Sequence, residues 1–415
     1  MSPLRLAFAS LMPFLAGICA AEDPLDTLEE RLVFADREGR VGARLSGTLD
    51  LEAYRFGLPA PGLLYTERRD LLNPRLSLFF DAQLGHSVYA FAQVRADRGF
   101  DPGDGGGQLR VDEYALRVSP LSDGRLSLQA GKFATVVGSY VARHGSWSDP
   151  FITAPLAYES LTGIWDAAAA GQGAVLLHWS HVLPGYPYEG DKEDKERRLP
   201  LIWGPAYASG FAISGRLERM DYAFELKNAS LASRPDSWET DGADWRHPTW
   251  GGRLGYRPNP AWNFGFSASA GPYLRPEAEL LAPGHGLGDY QERLLGQDIR
   301  FSRHHLELWA ELFEVRFENP RVGPADVVSY HLEARYRFTP QFLGALRWNQ
   351  QLYGRVEDGL GGRSAWGKDQ WRIDLAPAYR FTAHVQLKVQ YSLLRTGGPE
   401  PAWNHLAAVQ WTLRL

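Results

Sequence analysis

From Val41 onward the chain alternates. Between Val328 and Phe338 the polar Ser329, His331, Glu333, Arg335 and Arg337 interleave with Val328, Tyr330, Leu332, Ala334, Tyr336 and Phe338. A period of two puts the two sets on opposite faces of a strand. The same holds for Val41–Tyr54, where Val41, Ala43, Leu45, Leu49 and Leu51 oppose Arg44, Ser46, Thr48, Asp50 and Glu52. Further strands are expected over 75–84, 87–97, 108–118, 125–134, 208–217, 221–228, 250–257, 262–271, 293–303, 306–317, 327–338, 342–353, 370–381, 384–394 and 403–415, with Asn73-Pro74 left in the loop before the second. Short turns such as Gly85-His86, His304-His305 and Thr339-Pro340 alternate with long loops. One segment, about 135–207, breaks the rhythm, and connections that long are usually functional or disordered.

Alternation suits a soluble sandwich as well as a membrane barrel, so the leader matters. Arg5, the apolar run Leu6–Ile18 and the small Ala20-Ala21 before Glu22 and Asp23 form a secretory signal pattern over 1–21, too short and too interrupted by Pro13 for a spanning helix. The expected architecture is all-β: a single transmembrane antiparallel β-barrel of about 16 strands, or 18 if 164–170 and 174–181 add a hairpin, with a long inward-folding third loop. Residues 22–40 form a short periplasmic segment able to make a helix around Leu25, Leu28 and Leu32, and 41–415 form the barrel. An even strand count with both termini on one side is what a bacterial outer-membrane barrel requires.

Charge and cysteine narrow the field. The formal net charge is −5, which gives no basis for nucleic-acid binding. Cys19 is the only cysteine and lies in the leader, so the mature chain offers neither disulfides nor thiolate metal sites. No cofactor is implied. Asp101 and Asp104 lie close together, but no EF-hand loop follows them.

The segment 111–138 resembles the outer-membrane porins selective for phosphate and polyphosphate (porin O/P-like). The resemblance rests on Asp112, Glu113 and Tyr114 in one strand, and on Gly131, Lys132 and Phe133 at the end of the next, where the third loop begins. An alanine usual between Glu and Tyr is missing, and Val136-Val137-Gly138 stands where Pro-Phe-Gly is usual. The family's phosphate-binding cations have no counterparts that can be placed, and the chain ends in Leu415 instead of an aromatic residue. The resemblance implies a sixteen-stranded barrel in the bacterial outer membrane, assembled as a homotrimer among outer-membrane lipids.

A channel works through the charges on its wet face. The pore-lining candidates are Arg44, Arg95, Arg110, Arg125, Arg335, Arg337, Arg347, Arg372 and Arg380, interleaved with Asp50, Glu52, Asp112, Glu333 and Asp374. Arginine outnumbers lysine there and grips planar anions bidentately, which points to passive diffusion of small hydrophilic solutes with an anion or phosphate preference. The alternative is that these charges pair with one another and only keep the lumen wet. The constriction candidates are Lys132, Arg143, His144, Asp149 and Glu159, with Tyr140, Trp147 and Phe151 as walls. The DKEDKERR run (191–198) reads as a solvated loop tip.

Three other readings remain. Trp203, Trp238, Trp245 and Trp250 could guide sugars, or they could form a membrane-interface girdle. His178 and Ser180 could share a strand face in a lipase-like barrel hydrolase. A soluble, secreted all-β binding protein would show the same alternation.

Overall fold

A computed structural model describes residues 24–36, 38, 40–98, 107–181, 195–235, 245–398 and 401–415; the leader lies outside them. Sixteen long strands run in chain order: β1 (Val41–Phe56), β2 (Asp70–Leu84), β3 (Val88–Asp97), β4 (Gln108–Val118), β5 (Ser127–Phe133), β6 (Ala208–Leu217), β7 (Met220–Lys227), β8 (Thr249–Asn259), β9 (Trp262–Pro272), β10 (Gln291–Arg303), β11 (Leu306–Asn319), β12 (Gly323–Arg337), β13 (Phe342–Tyr353), β14 (Gln370–Arg380), β15 (Val385–Thr396) and β16 (Ala402–Arg414). Each pairs antiparallel with the next. β16 then pairs with β1, from Leu406 opposite Phe56 to Arg414 opposite Thr48, which closes the barrel. Closure pairs the strands around the whole ring, the condition for crossing lipid without a membrane helix. No helix among the described residues is long and apolar enough to cross a membrane.

The hairpin proposed for 164–170 and 174–181 does not form. Residues Gly173–Trp179 are helical, and the barrel stays at sixteen strands. Asn73-Pro74 belongs to β2 and not to the loop before it. Pro74 sits opposite Leu51, above Leu76, where β3 stops pairing with β2, so a missing N–H is tolerated on that free edge.

Two smaller elements complete the periplasmic end, the end that holds both termini. A helix, α1 (Pro24–Arg31), precedes Val33–Ala35, which pairs with Gly42–Arg44 along the stretch of β1 that extends past the end of β16. α1 is tied down by an Arg44–Glu29 ion pair and by His384, whose Nε2 lies 2.8 Å from Asp26 and whose Nδ1 lies 2.8 Å from the Arg414 carbonyl.

The outer face carries the apolar set. Trp262, Phe264, Phe301, Tyr336, Phe338, Phe342, Tyr379 and Phe381 form an aromatic belt near the periplasmic turns, and Phe211, Trp250, Trp371 and Trp403 lie nearer the opposite rim. Such belts mark the two membrane–water boundaries. On β11 the pattern inverts part-way. Leu306, Leu308, Ala310 and Leu312 face out below, whereas Glu314, Arg316 and Glu318 face out above, with Phe313, Val315 and Phe317 turned inward. Those three pack against the third loop. The main apolar core therefore lies inside the barrel mouth, where Tyr158, Leu177, Leu199, Leu201, Ile202 and Trp203 of the loop meet Phe313, Val315, Phe317, Val327 and Trp366.

Candidate functional site

β5 ends abruptly. Gly131 has φ of +137°, and a Cβ there would lie 2.2 Å from the Tyr114 carbonyl, so only glycine lets the strand approach β4 so closely. On the other side of β4, where it pairs with β3, a bulge at Asp112 and Glu113 turns both carboxylates toward the lumen. The chain then leaves the wall after Phe133, and the described parts of the loop 134–207 (134–181 and 195–207) lie inside the barrel.

Wall side chains hold this loop along most of its path. Glu225 of β7 accepts from the Thr135 hydroxyl (2.5 Å) and from the Val136 amide (3.0 Å). Ser267 of β9 accepts from Gly138 N at 3.1 Å. Glu311 of β11 accepts from Ser139 N, Tyr140 N (2.8 Å) and the Tyr158 hydroxyl (2.9 Å). Beyond these, the wall supplies cations and the loop supplies carbonyl oxygens. Arg380 donates to Trp147 O (3.1 Å) and Arg335 to Ser148 O (3.1 Å). Lys388 donates to Ser146 O (2.8 Å), Asp149 O (3.0 Å) and Phe151 O (3.5 Å). Arg347 reaches Thr153 O (2.7 Å) and Arg372 reaches Ala154 O (2.5 Å). Gln390 accepts from Ile152 N (2.6 Å) and Thr153 N (3.1 Å).

Carboxylates balance the same cations. Arg143 and Arg335 share Glu333, the first at 2.8 Å, and Arg335 also meets Asp149 at 3.2 Å. Arg347 and Arg372 share Asp374, each at 2.9 Å, and Arg372 also meets Glu159. Arg347 and Asp374 are 0% exposed. These groups lie beneath the loop. They act as a charge-assisted clamp, with the Arg347 guanidinium 4.1 Å above the Phe151 ring. His144 stands at the inner edge of the loop, its Nε2 3.3 Å from the Tyr207 hydroxyl, and burial pushes its imidazole below the ordinary histidine value.

The opposite arc of the wall is paired but wetter. Arg75 meets Asp50 (3.1 Å) and Glu52 (2.7 Å) while 24% exposed. Arg95 meets Asp112 (3.0 Å), Arg110 bridges Asp112 (2.8 Å) and Asp97 (3.0 Å), and Arg253 bridges Asp221 (2.9 Å) and Asp298 (2.7 Å).

At the periplasmic end a different set appears. Strands β4, β6, β8, β10, β12, β14 and β16 all descend to that end, and each carries an inward arginine near its terminus: Arg117, Arg216, Arg257, Arg300, Arg337, Arg380 and Arg414. Arg257 meets Asp221 at 3.1 Å. Among the described residues, none of the other six has a carboxylate within ion-pair distance. Arg117 instead meets the Gln129 amide oxygen (2.8 Å), and Arg300 lies 4.5 Å over Trp309. Trp147, at the loop's lowest point, lies between Arg380 (5.0 Å) and Arg414 (5.5 Å).

The structure thus places Arg44, Asp50, Glu52, Arg95, Arg110, Asp112, Glu333, Arg335, Arg337, Arg347, Arg372, Asp374 and Arg380 on the inward face, and Arg143, His144, Asp149 and Glu159 in the inserted loop. Two expected positions fail. Lys132 pairs with Tyr114 on the outward face of β5 and donates to Val111 O at 2.9 Å; it precedes the loop, and strand alternation turns it away from the lumen. Arg125 lies in the turn between β4 and β5, 65% exposed beside Asp123. The sequence reading missed Arg117, Arg216, Arg257, Arg300, Arg414, Lys388 and Glu311. The recurrence of the five arginines at matched ends of successive hairpins was the available signal for that set.

Other expectations change as well. Lys195, in the run expected to be solvated, is buried and donates to the carbonyls of Ala60, Gly62 (3.0 Å) and Leu64 (2.6 Å), which joins the third loop to the first. Trp203 is buried in the core, Trp250 faces outward, Trp245 packs beside the outward Phe211, and Trp238 lies outside the described residues, so the three described tryptophans do not line the lumen. His178 and Ser180 do not share a strand face. They stand two residues apart on a helical turn, which points them to different sides, and the Ser180 hydroxyl donates to Leu176 O at 2.8 Å. Asp101 and Asp104 lie outside the described residues, and no group of three metal-ligating side chains occurs among the described ones.

No family model matches the sequence, and no curated protein matches it. Solved structures do. The outer-membrane channel DcaP of Acinetobacter baumannii superposes with a TM-score of 0.59 at 10% identity, over 92% of this chain and 99% of that one. Salmonella typhi OmpF, in complex with daunomycin, gives 0.55 at 11% identity, over 92% and 100%. The anion-selective porin from Comamonas acidovorans gives 0.54 at 12% identity, over 90% and 100%. The fold is that of the porins. At these identities the likeness is one of architecture.

Proposed function

We propose that this chain is an outer-membrane porin, a passive channel for small hydrophilic solutes that prefers anions. The observation carrying the preference is the collar of inward arginines at the periplasmic end, most of them without a carboxylate partner. Inward charges held near low-dielectric walls focus the field in the path of an ion. Arginine keeps its charge at every relevant pH. The clamp residues contribute less, because buried and neutralised pairs project little field into the lumen. Phosphate is the first anion to test, since the 111–138 segment resembles the phosphate-selective porins. A homotrimer rests on the same resemblance, and the mass of the detergent-solubilised protein checks it.

The test is the reversal potential of purified protein in a planar bilayer under a potassium chloride gradient. A potential on the chloride side, reduced by added phosphate, is the expected result. A potential on the potassium side removes the anion preference, and folded protein without conductance removes the porin reading.

A further inference from the structure

The helix α1 sits at the periplasmic end without a core of its own. None of its eight residues is buried, and a helix that short does not persist alone. Backbone fixes its far end: Leu45 N donates to Leu32 O (3.0 Å), and Val33–Ala35 pairs with β1. Its near end is anchored by charge. Glu29 pairs with Arg44, and Asp26 meets His384. Arg44 shares the inward face of β1 with Asp50 and Glu52. His384 alternates with the inward Gln386 and Lys388 at the turn into β15. The helix therefore lies along the rim of the opening. The Thr382 hydroxyl fixes that turn by accepting from His384 N (3.0 Å) and Val385 N (3.2 Å).

His384 is 2% exposed, and both of its ring nitrogens face oxygen. Nε2 faces Asp26 Oδ1 and Nδ1 faces Arg414 O, each at 2.8 Å. A carbonyl and an ionised carboxylate only accept, and a neutral imidazole has one N–H. Making both bonds takes the imidazolium. We infer that His384 is a proton-operated latch, which holds α1 on the rim of the periplasmic opening and thereby regulates the positive charge presented there. This rests on the anion preference proposed above and concerns its regulation. From α1, Asp26 and Glu29 (3.9 Å) face the ring. From β16, Arg414 offers its carbonyl, while its guanidinium and that of Arg380 on β14 turn toward Trp147. Proton uptake and docking favour each other. The helix is docked below the ordinary histidine value of about 6.5 and is released as the pH rises above it. Release takes Glu29 away from Arg44 and leaves that inward guanidinium without its carboxylate. The anion preference strengthens as a result.

A nitroxide on Thr27→Cys, in a Cys19→Ser background of the full chain, reports docking by its mobility. The label should be immobilised at pH 5.5 and mobile at pH 8.5, with the docked-to-free ratio falling up to about tenfold per pH unit, as loss of one proton requires. His384→Gln keeps one of the two bonds but cannot take up the proton, so the pH dependence should flatten. Asp26→Asn, at a position 60% exposed and outside the barrel wall, should move the transition to lower pH. The reversal potential of unlabelled protein under a potassium chloride gradient should move further to the chloride side between pH 5.5 and pH 8.5, and His384→Gln should abolish that movement. A label equally mobile at both pH values, or one whose transition is the same in His384→Gln and Asp26→Asn as in the parent, overturns the latch. A label that is released while the potential stays fixed overturns its regulation of the opening. A wild-type potential on the potassium side at both pH values overturns the anion preference instead, and the label result then stands on its own.

Discussion

Arg335, Arg347 and Arg372 on β12–β14, and Arg337, Arg380 and Arg414 on β12, β14 and β16, share a face, a chemistry and nearly a strand. Their surroundings differ. The first three lie under the third loop, pair with Glu333, Asp149, Asp374 and Glu159, and donate to loop carbonyls. The second three lie around or below the loop's lowest point and have no carboxylate within ion-pair distance among the described residues; only Arg380 reaches the loop backbone, at Trp147 O. An arginine on a barrel's inner face therefore does one of two jobs, and the difference is whether a carboxylate and a carbonyl reach it first. Buried and paired, it builds the constriction. Half-exposed and unpaired, it is the group to which the proposed anion preference is assigned.

That contrast is sharpest where the clamp can be broken alone. Arg347→Ala leaves Asp374 and the Thr153 carbonyl buried with a lost partner, a change of about 3–5 kcal/mol for a buried pair. The loop should undock, raising single-channel conductance and opening 145–160 to added protease, while ion preference changes little. Unchanged conductance and protease resistance would show that the loop does not depend on this anchor.

Lys388→Met keeps most of the volume but removes the donor to three carbonyls at the loop tip, about 1–3 kcal/mol for stranded acceptors. The tip carrying Trp147 should loosen, seen as added open-channel current noise and not as a full opening. Lys195→Met acts at the far end, where the third and first loops join. It should leave both conductance and selectivity as they are and speed proteolysis of 57–69, which separates the mouth from the constriction.

The smallest effect concerns His144. Its docked imidazole resists protonation because of burial, with the Val141 carbonyl opposing and Arg95 and Arg75 adding to the effect. The undocked loop therefore binds protons more readily. Docking should be strongest above the ordinary histidine value of 6.5 and weaken as the pH falls through it. Wild type should show more frequent opening transitions at pH 5 than at pH 8, and His144→Gln should flatten that dependence.

The barrel was legible because lipid outside and water inside enforce alternation through the membrane. Val41–Phe56 and Phe342–Tyr353 can be read residue by residue. Legibility ended where that constraint ended. On β11 above Leu312 the exterior leaves hydrocarbon and the interior meets the loop, so Phe313, Val315 and Phe317 turn inward. Pro74 was placed in a loop because a proline argues against a central strand, and only the early end of β3 makes it harmless. The inward position of Arg347 was legible, but its role was not. What it and Lys388 grip are backbone carbonyls, and every residue of the loop has one, so the docked path leaves almost no side-chain signature.

The reversal potential of Arg337→Glu/Arg380→Glu/Arg414→Glu, set beside wild type under the same potassium chloride gradient, tests the division between clamp and collar most directly. The collar predicts a move from the chloride side toward the potassium side with conductance of the same order. A reversal potential that stays at the wild-type value, in a variant that conducts normally, would contradict it and return selectivity to the clamp.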